Sequence, residues 1–429
     1  MHCKDRESIF TVNLSRRDFI KTTVSGVAVL TFGCSDSDEN SNKDENSNKD
    51  LSYAIENDDV LFALYSKENL HSQTEAIRLA SEKLNWSWLS AGDSVFVKIS
   101  MNSAHTHPAV TSPIAISAIC KELFDRGASR VIVGDKMGLE SVYHHANGIS
   151  GSSTREAAGK NDILEAIEHS NAEAYFFDET DFNTDFFEAT LNIDSTHWQT
   201  PPYLPNIIKE VDHIIYLPRL SSHIAAGYSH GLKSAVGWLR DDSRIQMHTK
   251  ADTLHEKYAE ISFADEIRSK HRLTLTFAEK ILLDSGPDDG TISELNPNII
   301  IASGHLANHD AFSVAVLAYI DSITEQAPNL QGVYNSGMAP VAHNYLMLHM
   351  LPGLHKDFPA IDLNEYSTVQ YNDYQKGISS DIALSRAYQI LGGVPSSISL
   401  EHIGEEIDPD FREFITHHNN NIFRFKLNT

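Results

Sequence analysis

Short apolar runs in this chain alternate with stretches of helical periodicity. The runs fall at residues 60–64, 94–99, 130–134, 174–177, 213–217, 273–277 and 298–302, and the helical stretches at 72–84, 113–126, 161–170, 205–211 and 311–323. Apolar runs this short, bounded by Gly, Pro or polar clusters, read as buried strands. Pro113 suits the first turn of its helix, and Gly127 suits its end. Strands that alternate with amphipathic helices predict an α/β fold: a mostly parallel sheet with helices on both faces, in Rossmann-like layering. Ligands of such sheets collect beyond the carboxyl ends of the strands.

Those ends are polar and rich in histidine. His105 and His107 follow the run at 94–99, and Asp135 and Lys136 follow 130–134. Arg219, Ser221, Ser222, His223, His230 and Lys233 follow 213–217, and Ser303, His305, His309 and Asp310 follow 298–302. The pair His105-x-His107 can offer two imidazoles to a divalent metal, with Asp135 and Asp310 as carboxylate ligands. Such an ion polarises a carbonyl or activates water. Lys98 lies inside an apolar strand and needs a partner, for which Asp135 on the neighbouring strand is placed; facing the crevice instead, it would bind phosphate or carboxylate. Arg219 and His230 are further candidates for holding a small anionic molecule. If 229–238 is helical, His230 and Lys233 share a face. His223 and Lys233 are the candidate catalytic pair. The expectation is that His105, Asp135, His223, Lys233 and Asp310 converge on one cleft. Two classes of function fit: a metal-assisted enzyme acting on a small anion, or a protein that binds a ligand in the same crevice without turnover.

Other residues read as structural. His144-His145 and the pair His248 and His255 read as surface histidines, and the helix after 298–302 is expected to begin only near His309. Cys120 sits in an apolar helix and reads as a small core residue. Cys3, Cys34 and Cys120 form no C-x-x-C, so a cysteine-held iron–sulfur cluster is not expected.

The N-terminus carries Ser15-Arg16-Arg17-Asp18-Phe19-Ile20-Lys21, which resembles the twin-arginine export signal. The apolar stretch at 22–33 is too short to span a bilayer. Leu30-Thr31-Phe32-Gly33-Cys34 resembles a lipoprotein cleavage box, although Leu30 stands one place further from the cysteine than usual. Cys34 is thus the expected lipidation site. The hexapeptide Asp-Glu-Asn-Ser-Asn-Lys follows twice in tandem, at 38–43 and 44–49. It has no apolar side chain to bury and reads as a tether. The organisation expected is a signal at 1–34, an acidic tether at 35–51 and an α/β domain at 52–429, with 324–429 as a C-terminal extension. The export machinery would be one partner, the lipid the only tie to a membrane, and the periplasm the location. A net charge of −25, from 34 basic and 59 acidic residues, argues against nucleic acid as a partner.

An ordered set of segments also resembles a bacterial and archaeal family called domain of unknown function 362. The set is Val97-Lys98-Ile99-Ser100-Met101-Asn102, Thr111-Ser112-Pro113, Gly127-Ala128-Ser129-Arg130-Val131-Ile132-Val133-Gly134-Asp135, Ile215-Tyr216-Leu217-Pro218-Arg219-Leu220-Ser221-Ser222-His223 and Gly231-Leu232-Lys233-Ser234. The resemblance spans residues 60–323. It departs from the family where a basic residue is usual two places before His223, here Ser221, and where Asn usually follows Lys233, here Ser234. Many members carry ferredoxin-like cysteine clusters, and this chain has none. The resemblance implies a fold and a site but no reaction.

Overall fold

A computed structural model describes residues 58–66, 73–283, 286–288, 290–324, 338–416 and 425–428. The export-like signal, Cys34 and the tether lie outside the described residues. One large sheet organises the rest. Its strands run in the order Phe425–Leu427, Ile398–Gly404, Val60–Tyr65, Thr291–Ser303, His271–Leu283, His213–Leu217, Ser94–Ile99, Arg130–Asp135 and Glu173–Phe176. Along this path Thr291–Ser303 is antiparallel to both its neighbours, and the remaining pairings are parallel.

Both faces are covered, and the alternation of side chains shows how. Phe62, Phe96, Ile132, Ile214, Tyr216 and Ile301 point into one core. Leu61, Val95, Val97, Val131, Ile215 and Ile300 point into the other. Successive residues of a strand face opposite ways, so near-continuous apolar runs are what a doubly covered sheet requires. The helices Gln73–Ser81, Pro113–Asp125 and Ile163–His169 close the second core. Leu254–Ser262, Leu306–Ile323 and Ile382–Ile390 close the first. The fold is therefore α/β with a mostly parallel central sheet, in three layers.

Three local readings are corrected. The runs at 273–277 and 298–302 lie within long antiparallel partners, His271–Leu283 and Thr291–Ser303, not in successive strand–helix units. A doubly buried strand looks the same in sequence whichever way it points. The helix after Thr291–Ser303 begins at Leu306, so His309 lies within its first turns. Residues 229–238 form a strand end, the short helix Gly231–Ser234 and a 3-10 turn at Ala235–Trp238. The chain beyond residue 338 is built into the same body: Ile398–Gly404 pairs with Val60–Tyr65 in the main sheet. No helix among the described residues is long and apolar enough to cross a membrane.

Candidate active-site cleft

The strands Ser94–Ile99, Arg130–Asp135 and His213–Leu217 end side by side on one rim of the sheet. Beyond them lies a cleft of about 290 Å³, the size of a small-molecule site. Asp135, Lys136, Arg219, Lys233 and Arg244 line its charged floor. Its wall holds Met247, Leu346 and Met350 together with His223, His248 and His343.

Two of the three lysines around this floor are neutralised. Lys98 Nζ is 2.7 Å from Asp135 Oδ1 and donates to Ile99 O at 2.9 Å. Asp135 Oδ2 accepts the Met101 N–H at 2.7 Å. Lys136 Nζ is 2.9 Å from Asp241 Oδ1 and donates to Val142 O at 2.9 Å. Arg244 spends its guanidinium on backbone carbonyls, those of Val236 at 3.0 Å and Met137 at 2.6 Å. Lys233 differs: its ammonium makes no hydrogen bond or ion pair with the described residues. Burial, and then the nearby Arg219 and Arg244, push its ammonium down to about 7, while Glu140 and Asp135 act the other way. Glu140 also lines the cleft; burial and Asp288 hold its carboxyl above the usual range. Asp288 accepts a hydrogen bond from Asn102 Nδ2 at 2.6 Å.

The segment that carries Lys233 is held from below. Asp310 accepts the Gly231 N–H at 2.9 Å and the Leu232 N–H at 2.7 Å, so a buried carboxylate caps the helix Gly231–Ser234. His309 Nδ1 lies 2.9 Å from the same carboxylate. Gly231 and Gly237 permit the close approach. A Cβ at Gly231 would meet Asp310 and Leu306, and one at Gly237 would strike both Asp135 and Lys98.

The histidines divide by tautomer. His223 Nδ1 accepts from the N–H groups of Ala225 and Ala226, both at 3.2 Å. Its ring proton therefore sits on Nε2. Burial, and then Lys233 and Arg219, hold its pKa well below the usual imidazole value, so the ring is neutral. His248, read from sequence as a surface residue, lines the cleft, with Nδ1 3.3 Å from His343 Nε2. His144, also read as exposed, is buried on the strand Val142–His145, and its N–H donates to Asp241.

Of the residues singled out from sequence, the structure brings Asp135, Arg219, His223 and Lys233 together in the cleft. Lys98 lies beneath it, behind Asp135. His230 is fully buried against Tyr228, with ring centres 4.7 Å apart, and its nitrogens find no hydrogen-bond partner among the described residues. His105 is exposed beside Ser103. His107 is buried with Nδ1 3.0 Å from Val110 O, and burial pushes its pKa down to about 4. The expected metal set of His105, His107, Asp135 and Asp310 does not assemble. Asp135 is engaged by Lys98 and Asp310 by a helix terminus, and no group of three or more His, Cys, Asp or Glu among the described residues is placed to hold a metal. The reversed strand is the reason for part of this. Its carboxyl end lies on the opposite rim, where His305 lines a separate hollow with Asp58 and Asn308. Asp241, Arg244 and His343 had no sequence signal, and His248 was read as a surface histidine. They stand on helices whose place over the floor is set by tertiary packing.

Residues 95–315, just over half the chain, match the family described as Domain of unknown function (DUF362). The chain belongs to that family. The matched DUF362 span contains the whole charged floor, from Asp135 to Arg244, together with Lys98 and Asp310 that support it, and ends before His343 and the rest of the C-terminal wall. Among solved structures the chain is similar to the lactate racemase apoprotein from Thermoanaerobacterium thermosaccharolyticum, at 11% identity and a TM-score of 0.37, over 85% of this chain and 86% of that one. A likeness this distant carries no function across. No match is found among curated proteins.

Proposed function

We propose that this DUF362 protein is an enzyme whose cleft takes a small organic anion, with Lys233 meeting the anion and His223 donating a hydrogen bond from Nε2. The observation that carries this reading is the contrast among the lysines: Lys98 and Lys136 are each paired with an aspartate, whereas Lys233 lines the cleft without a partner among the described residues. A cationic group left without a partner in a cleft supplies the attraction that a carboxylate or phosphate needs. A lysine that titrates near neutrality can also exchange a proton or react as an amine.

Pyruvate is a suitable probe, because its charge is constant across the range in which Lys233 titrates. Measured by calorimetry, its affinity should be highest below pH 7. It should fall as the pH rises through about 7, where the Lys233 ammonium loses its proton. Lys233→Met should weaken binding by about ten- to a hundredfold, the worth of one charge-assisted hydrogen bond, and flatten the pH profile. An affinity that ignores both pH and the substitution would reject Lys233 as the anion's partner.

The N-terminal sequence supports a location for this activity: export in folded form and a lipid on Cys34. Changing Arg16 and Arg17 to Lys should strand the precursor in the cytoplasm. Cys34→Ala should leave the chain uncleaved or release it from membranes, as fractionation would show.

A further inference from the structure

A row of side chains in the cleft wall leads away from the charged floor, and from its hydrogen bonds we infer that His248 is the general base of this site, its Nε2 lone pair turned toward the bound anion and its tautomer fixed by His343 and Tyr366. This builds on the reading of the cleft as an anion site and names the substrate class more closely: a small organic anion with an acidic C–H or O–H.

The tautomers follow from counting protons, beginning at the outer end of the row. The Tyr366 hydroxyl donates to Asn344 Oδ1 at 2.8 Å, and the Thr368 hydroxyl donates to Pro340 O at 3.2 Å. Each hydroxyl has one proton, and each has now committed it. Both also approach His343 Nδ1, at 3.1 and 3.4 Å, and there they can only accept. His343 therefore carries its proton on Nδ1. Its ring is fully buried and burial pushes its pKa down to about 4, so it is neutral and Nε2 is bare. The only hydrogen bond that Nε2 can then make with His248 Nδ1, 3.3 Å away, is as acceptor. The rings suit this: their centres are 5.4 Å apart with planes inclined by 21°, too far for face contact and suited to an end-to-end bond. His248 thus holds its proton on Nδ1, and Nε2 is left with a lone pair.

His248 lines the cleft, and Lys233 and Arg244 are among the charges felt at its ring. Burial comes first, and these neighbours with His343 and Lys257 also keep the imidazole unprotonated. In the step this permits, a C–H or O–H bond of the substrate breaks and its proton forms a new N–H bond at His248 Nε2. The electron pair stays on the substrate, next to the Lys233 ammonium, and the Nδ1–H of the imidazolium stays hydrogen-bonded to His343 Nε2. His343 and Tyr366 are positioning residues, because they act only through the orientation and proton of His248.

Nitrogen-15 NMR of the full chain, labelled at histidine, reads the tautomers directly. The expected result is Nδ1–H for both His248 and His343. His343→Gln, whose amide oxygen can still accept, should keep His248 in that form, whereas His343→Leu should shift it toward Nε2–H. Tyr366→Phe should shift the His343 signal, which a purely structural tyrosine would not do. Diethyl pyrocarbonate acylates a bare ring nitrogen open to solvent, so it should label His248, and pyruvate should slow that labelling. An Nε2–H tautomer at His248, or no labelling there, would overturn the assignment even if pyruvate binds. The expected tautomers with labelling that pyruvate leaves unchanged would instead sink the anion reading and spare His248 as a base.

Discussion

Lys98→Met should lower the folding free energy by about 3–5 kcal/mol, the typical cost of removing one partner from a buried ion pair. Methionine keeps the length and the apolar stem, so lost packing is a small part of the effect. What changes is Asp135, whose carboxylate is almost fully buried and whose nearest counter-charge is Lys98 Nζ at 2.7 Å. Without it, the carboxylate retains the Met101 N–H as a hydrogen-bond donor but loses its ion-pair partner. Denaturant titration should show a lower midpoint with an unchanged slope. A second change, Asp135→Leu on top of Lys98→Met, should recover part of the loss, because two apolar side chains of similar size leave no buried charge. A loss under about 1 kcal/mol for the single change would mean that the pair contributes little beyond occupying space.

Asp310→Ala should cost about 3 kcal/mol or more, because two backbone N–H groups in a buried place lose a charged acceptor at once, each such bond being worth roughly 1.5–3 kcal/mol. As the first residues of the single-turn helix Gly231–Ser234, Gly231 and Leu232 have no intrahelical acceptor for these N–H groups. The effect should reach the cleft. With the cap gone, the turn carrying Lys233 loses its anchor, and pyruvate affinity should fall although Asp310 does not line the cleft. Asp310→Asn should be milder, since its amide oxygen can keep one of the two bonds. Thermal and denaturant unfolding, paired with pyruvate calorimetry, test both parts. A stable Asp310→Ala protein with full affinity would show that the turn holds its shape without the carboxylate.

Much of the sheet was readable from sequence because a doubly covered strand announces itself as an unbroken apolar run. The partnership of Lys98 with Asp135 was readable for a related reason: a lysine in such a run needs a counter-charge, and the adjacent strand end offered one. Strand direction was not readable. The run at 298–302 looks the same whether parallel or reversed, and the reversal separates His305 from the cleft and turns Asp310 from a ligand into a cap. Histidine roles were the least legible. His105 and His107 have metal-like spacing, yet one is exposed and the other is buried against Val110 O. His248 and His343 are 95 positions apart and meet only through packing.

The matched family span stops at residue 315, while His343, Leu346 and Met350 come from a later segment, which leans over a floor built by the span. The two halves of the cleft are thus encoded separately. Drift in the later segment can reshape what the cleft accepts while the strand-end charges and the sheet beneath stay as they are. Chains that share this floor need not share a substrate, and exchanging residues 338–368 between relatives is a modular route to altered selectivity.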